Sequence, residues 1–171
     1  MTCILVSPLS AIERAIDAYQ PSHLITLLSP EDMITTPAHI AAERHLKLAL
    51  NDVVEEMPDM NPPTRDHILR LLEFGRDWRA QAPLLVHCWA GVSRSMAAAY
   101  TLLCERAGPG REFEIARALR RRAPHAYPNP LMIRLADTVL QRDGQMVAAV
   151  ASIGRGEIVL EGSCVLLPLA I

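Results

Sequence analysis

One nine-residue stretch concentrates the chemistry of this sequence: His87-Cys88-Trp89-Ala90-Gly91-Val92-Ser93-Arg94-Ser95. It follows the apolar run Leu84-Leu85-Val86 and precedes a segment rich in Ala, Met and Leu. A strand ending at Val86 and a helix beginning near Arg94 would leave a short loop whose backbone N–H groups curl toward one point. The helix would aim the positive end of its dipole at the same point. Such a nest binds a tetrahedral dianion and favours a thiolate. Gly91 suits so tight a loop, because it reaches backbone angles that other residues resist. Arg94 lies six positions after Cys88 (94 − 88 = 6), so its guanidinium can fold over the loop and grip two phosphoryl oxygens in a fork. Cysteine alone is often a buried, inert residue. The ordered combination of strand, His-Cys, spacer, Arg-Ser and helix points instead to nucleophilic attack on a phosphate ester.

The elements that must position this loop are legible on both sides of it. Cys3 to Val6 reads as a short buried strand and Leu24 to Leu28 as a second apolar run, ended by Ser29-Pro30, which could open a new helical turn. Between the two, Ser10 and Glu13 make a capping-box pattern for a helix over the following residues. Leucines alternate over His45 to Leu50, as in a strand exposed on one face. After a polar, proline-containing loop from Asn51 to Pro63, Ile68, Leu71, Leu72, Gly75 and Trp78 recur at helical spacing, which predicts a helix from Thr64 to about Gln81. Leu84 to Val86 is apolar throughout, as at the centre of a sheet covered on both faces. Helices are expected over Ser95 to Ala107, Glu112 to Arg122 and Asn129 to Arg142. Short apolar runs at Val147 to Ala151, Ile158 to Leu160 and Val165 to Leu167, broken by glycines, suggest a terminal hairpin. Strands alternating with helices predict an α/β three-layer sandwich around a mostly parallel sheet.

Bulk properties narrow the function classes. A chain of 171 residues fits one domain with a real core, expected to span 1–171. Half the residues are apolar but only 4% are aromatic, so that core must be aliphatic. A net charge of −2 argues against a nucleic-acid partner. No stretch approaches the roughly 20 apolar residues of a membrane span, and the start carries no basic region before its short apolar run. Cys3, Cys88, Cys104 and Cys164 are scattered with no CxxC pair, so a reduced, cytoplasmic setting is expected. The remaining histidines, His23, His39, His45, His67 and His125, fall at no tight metal-ligand spacing, and no metal or other cofactor is expected.

The stretch from Val86 to Ser95 resembles the signature of the protein tyrosine phosphatases, HCxxGxxR[ST]. With Ala-Gly-Val-Ser-Arg-Ser it is most similar to the dual-specificity branch, and thinner matches extend over about residues 46 to 140. The resemblance implies metal-free, two-step hydrolysis through a phosphocysteine. Cys88 would be the nucleophile and Arg94 the phosphate clamp. Ser95 would help the thiolate leave, and His87 would brace the loop. The substrate-binding loop would comprise His87, Trp89, Ala90, Gly91, Val92, Ser93 and Arg94, holding phosphate or another oxyanion. The partner implied is a phosphorylated protein or peptide, with no nucleic acid and no membrane.

A phenolate or alkoxide leaves slowly unless it is protonated, so a carboxylic acid should face the nucleophile. The motif loop has none, which leaves Asp52, Asp59 and Asp66 upstream. Asp66 falls at a helix start, where a carboxylate simply favours the dipole. Asp52 follows the strand His45 to Leu50 directly, and phosphatases of this kind place their acid just after such a strand, often in an Asn-Asp pair. Asn51-Asp52 precedes Cys88 by 36 positions (88 − 52 = 36), and Asp52 is the preferred acid with Asp59 in reserve.

Other features have plainer readings. Asn129, in Pro128-Asn129-Pro130, is expected to cap the last helix and support the loop. Arg117, Arg120, Arg121 and Arg122 read as a solvated helix face in preference to a site for an acidic substrate or second phosphate. Trp89 would line the pocket rim or pack under a neighbouring loop, and Cys104 would be buried. The rival functions are a catalytically silent phosphate-binding module, a phosphoinositide phosphatase and a sulfur-transfer or arsenate-reducing enzyme. The uncharged loop positions Trp89, Ala90 and Val92 disfavour a polyphosphorylated lipid.

Overall fold

The computed structural model describes residues 2–170. Five strands form one sheet: β1 (Cys3–Pro8), β2 (His23–Leu28), β3 (His45–Ala49), β4 (Leu84–Cys88) and β5 (Val165–Pro168). Their order across the sheet is β3-β2-β4-β1-β5. The first four run parallel, and β5 pairs antiparallel with β1. The helices are α1 (Ile12–Tyr19), α2 (Arg65–Asp77), α3 (Arg94–Ala107), α4 (Glu112–Arg122), α5 (Pro130–Val139) and α6 (Gln145–Ser152).

Apolar burial explains the layering. Val6, Ile25, Leu48, Leu84 and Val86 share one core with residues of α2 to α6. Leu5, Leu24 and Leu85 share a smaller core with Ile12, Ala15 and Ile16 of α1. Alternate residues of each strand point to opposite faces, so helices on both sides give the expected three-layer sandwich. Strand β4 lies between β2 and β1 and is buried at every position. Its apolar composition follows from having no solvent face. Behind it, α3 is buried from Arg94 through Cys104.

Strand β4 enters last between β1 and β2, after the chain has already formed β3 beyond β2. In open parallel sheets, ligands bind outside the carboxyl ends of the strands where the strand order reverses. The β4–α3 loop emerges at this place.

Several local expectations need correction. Ser10 does not cap α1; it lies in a 3₁₀ turn, and Ala11 is the N-cap without a side-chain bond. The Ser10 hydroxyl bonds the distant Glu161 carboxylate instead. Helix α2 ends at Asp77, where Trp78 turns extended and its indole N–H donates to Ala82 O at 2.9 Å. The last expected helix is shorter at both ends, with Asn129 as its cap and Val139 its final residue.

The terminal hairpin does not form. Residues 145–152 are helical because the Asp137 carboxylate caps α6, accepting from Gly144 N at 2.7 Å and Met146 N at 2.8 Å. Ile158 to Leu160 is an exposed loop, and only the last apolar run becomes a strand, completing the sheet edge beside β1. Among the described residues, no helix is long and apolar enough to cross a membrane.

Candidate active site

The loop between β4 and α3 is shaped by where its carbonyl groups go. Trp89 O accepts from Leu9 N at 3.0 Å, and Ala90 O accepts from Gly162 N at 2.8 Å. Val92 O accepts from Tyr127 N at 2.9 Å, and Ser93 O accepts from Asn129 N at 3.3 Å and Ala97 N at 2.9 Å. Three distant segments therefore pull four carbonyls outward. Across a trans peptide the N–H of the following residue points the opposite way. The amides of Ala90, Gly91, Ser93 and Arg94 are thereby directed inward, a concave set of donors of the kind that can hold an anion.

Gly91 has φ +69°, and a Cβ there would stand 2.8 Å from Pro8 N and 2.9 Å from Ser7 C. Those are backbone atoms of β1 that cannot move aside. Glycine is required here by both conformation and space.

Cys88 is the last residue of β4 and is 1% exposed, so its sulfur forms the floor of the cup. Its Sγ lies 3.1 Å from Ser95 Oγ in the first turn of α3. Arg94 is also buried, and its Nη1 donates to Leu50 O at 2.9 Å. Its Nε is buried without a hydrogen-bond partner among the described residues. Buried donors are nearly always satisfied, and a substrate oxygen over the cup would satisfy this one.

Asp52 reaches the same place from the carboxyl end of β3. Its Oδ1 accepts from Ser93 Oγ at 2.7 Å and Asn129 Nδ2 at 2.8 Å, while Oδ2 lies 3.9 Å from Arg94 Nε. One carboxylate oxygen is thus fixed by two donors, and the other turns toward the guanidinium. Asn51 closes the base of the acid loop: its N donates to Asn61 O, and its Oδ1 accepts from Asn61 N, both at 2.7 Å. Asp59 lies within the loop so closed, in an exposed turn at φ 61°. Asp66 belongs to the first turn of α2.

Asn129 does more than cap α5. Its Oδ1 accepts from Met132 N at 3.0 Å, while its Nδ2 also donates to Val53 O at 3.1 Å, tying the acid loop to the phosphate loop. Trp89 stands at the rim, 57% exposed. Cys104 is buried in α3, and burial pushes its thiol up to about 12.

His87 is fully buried and its Nε2 shares the Thr26 hydroxyl at 2.7 Å. The same hydroxyl meets His45 Nε2 at 2.8 Å, and His45 Nδ1 meets Thr36 Oγ1 at 2.9 Å. Neither Thr26 nor His45 stood out in the sequence, since His45 reads there as one polar position of an alternating strand. Burial lowers the His87 ring to about 4, against a weaker opposing pull from the Cys88 backbone. Burial, with a smaller contribution from Lys47, lowers His45 to about 4 as well.

Both rings stay neutral in the folded protein while the unfolded chain begins to protonate them near pH 6.5. Stability therefore declines as pH falls from about 6.5 toward 4 and levels off below. For His87 alone the loss reaches roughly 3 kcal/mol, with about 2 kcal/mol already lost at pH 5. The urea midpoint should drop clearly between pH 7 and pH 5, and His45→Gln should reduce that drop. An unchanged midpoint would contradict buried, neutral rings.

Comparison with known proteins fits this geometry. The protein-tyrosine phosphatase family model matches residues 53–126, which include Cys88 and Arg94. DUSP15 shares the fold with TM-score 0.63 at 18% identity, over 90% of this chain and 91% of its own. PTPMT1 in complex with PI(5)P gives TM-score 0.61 at 16% identity, over 85% of this chain and 92% of its own. Human DUSP28 gives TM-score 0.55 at 20% identity, over 87% of this chain and 94% of its own. No curated protein sequence matches the chain. The chain has the fold shared by DUSP15, PTPMT1 and DUSP28, and residues 53–126, with the Cys88–Arg94 loop among them, are similar to the protein-tyrosine phosphatase family.

Proposed function

We propose that this protein hydrolyses phosphomonoesters on protein side chains, phosphotyrosine first and phosphoserine or phosphothreonine in addition, through a phosphocysteine intermediate. The observation that carries the reading is the inward turn of the loop amides above Cys88, with Arg94 Nε, which has no hydrogen-bond partner among the described residues, beside them. Three equatorial phosphoryl oxygens would be held by these donors, which oppose the charge developing in the transition state.

In the first step the Cys88 thiolate attacks phosphorus, an S–P bond forms and the ester O–P bond breaks. The proton on Asp52 passes to the departing oxygen, completing the alcohol or phenol. Because Oδ1 is held by Ser93 and Asn129, the transferred proton would ride on Oδ2. In the second step Asp52 takes a proton from water as that water attacks phosphorus. The S–P bond breaks, inorganic phosphate is released, and the Ser95 hydroxyl donates to the sulfur as it regains its charge. His87 acts as a positioning residue, fixing the end of β4 through Thr26. No step requires a metal, and four unpaired cysteines suit a reduced, cytoplasmic setting.

PTPMT1 with PI(5)P has a related fold, which makes a phosphoinositide the second reading. Trp89, Ala90 and Val92 bring no charge for additional phosphates, so the protein substrate is preferred. Rapid acid quench during turnover of p-nitrophenyl phosphate in chelator should leave one phosphoryl group on the peptide containing Cys88. Turnover without any phosphopeptide, or with the label elsewhere, would overturn the covalent mechanism.

A further inference from the structure

The segment 153–164 crosses the catalytic face as a strap, and Arg120 bolts it down. Arg120 Nε donates to Ile153 O at 3.4 Å and Nη2 to Gly154 O at 2.8 Å, while Nη1 bonds Pro124 O. Glu157 N also donates to Pro124 O at 2.9 Å. Arg120 therefore does not belong to a solvated face. At the far end, Gly162 N holds Ala90 O, and a Cβ on Gly162 would collide with His125 Nε2 and stand 3.1 Å from Gly91 O.

Between these anchors the strap raises Ile158 and Leu160 into solvent, 81% and 101% exposed. A cavity of about 280 Å³ is lined by Leu9, Ser10, Trp89, Ala90, Leu160 and Glu161. The polar groups of its floor, Ser10 and Glu161, bond one another, which leaves apolar walls for an occupant. Its volume falls just below that of pockets enclosing a whole drug-sized ligand and suits one large side chain. Trp89 and Ala90 belong both to this cavity and to the phosphate loop, so the two adjoin.

The exposed charge on the strap and the loops around the cup has an excess of carboxylates. The 51–63 loop carries Glu55, Glu56 and Asp59 and the strap carries Glu157 and Glu161, against Arg14, Arg134, which donates to Val54 O at 2.9 Å, and Arg155, stacked over the Tyr127 ring at 5.7 Å. Such a rim repels an anionic bilayer and attracts a basic peptide.

We infer that this cavity is a specificity subsite for a large aliphatic or aromatic side chain next to the phosphorylated residue of a peptide carrying net positive charge. The inference rests on the proposed protein-phosphatase activity and names its substrate class.

The test uses phosphotyrosine peptides rich in lysine that carry Leu or Ser beside the phosphotyrosine, and the same pair with Glu replacing Lys. kcat/KM should favour Leu over Ser by about 10-fold or more, and the lysine peptides over the glutamate ones. Leu160→Asp should bring the Leu/Ser ratio close to one, whereas Ile158→Asp, outside the cavity, should preserve it. Melting temperatures check that both variants fold. Turnover of p-nitrophenyl phosphate with equal rates on Leu and Ser peptides would overturn the subsite alone. Faster turnover of a phosphoinositide in phosphatidylcholine vesicles than of every peptide would overturn the substrate class. No turnover of p-nitrophenyl phosphate would overturn the phosphatase reading beneath it.

Discussion

Cys88→Ser should abolish turnover of p-nitrophenyl phosphate while leaving the cup able to hold an oxyanion. Removing the nucleophile of a covalent hydrolase costs on the order of 10⁵- to 10⁶-fold in rate, and a neutral serine hydroxyl has no base beside it comparable to a histidine partner. Ser95 Oγ is the polar side-chain atom at 3.1 Å, and a hydroxyl is no general base. The amides turned inward by Leu9, Tyr127, Asn129 and Gly162 remain, as does Arg94. Calorimetric titration with tungstate should therefore give an affinity within about 10-fold of wild type. Residual catalysis within about 10-fold of wild type would mean that Cys88 is not the nucleophile. Loss of tungstate binding together with activity would mean that the sulfur shapes the cup itself.

Asp52→Asn should slow hydrolysis of phenyl phosphate by about 10²- to 10⁴-fold, the usual worth of a placed general acid. The substitution is nearly silent structurally. An asparagine keeps the Oδ1 that accepts from Ser93 and Asn129 and alters only the side facing Arg94. The loss should shrink for p-nitrophenyl phosphate, whose leaving group needs less help from a proton. Full activity on phenyl phosphate would transfer the role to Asp59, which lies in an exposed turn of the same loop.

The sequence carried the fold wherever burial leaves a period. Leu84 to Val86 had to be central because no polar position interrupts it, and β4 is enclosed between β2 and β1. The Cys88–Arg94 loop was legible for a related reason: its chemistry depends on local spacing. Asp52 could be preferred over Asp59 because it follows β3 directly. What escaped was the support that arrives from far along the chain. Thr26 beneath His87, the Asn129 bridge to Asp52 and the Gly162 amide on Ala90 leave no periodic trace in sequence. The arginine cluster misled because a surface helix and a backbone clamp use the same residues; only the carbonyls of 153 and 154 distinguish Arg120 from its neighbours. The terminal hairpin failed because the Asp137 carboxylate, a distant cap, stabilises α6.

The outward carbonyls of the phosphate loop bind it to residue 9 on one side and to residues 127, 129 and 162 on the other. Bridges that span so much of the chain close late, since their entropy cost falls due before neighbouring contacts can offset it. The reactive centre is consequently among the last parts to organise. A half-folded copy, or one unravelled at either end, would lack the converging amides and with them the cup for the phosphoryl oxygens.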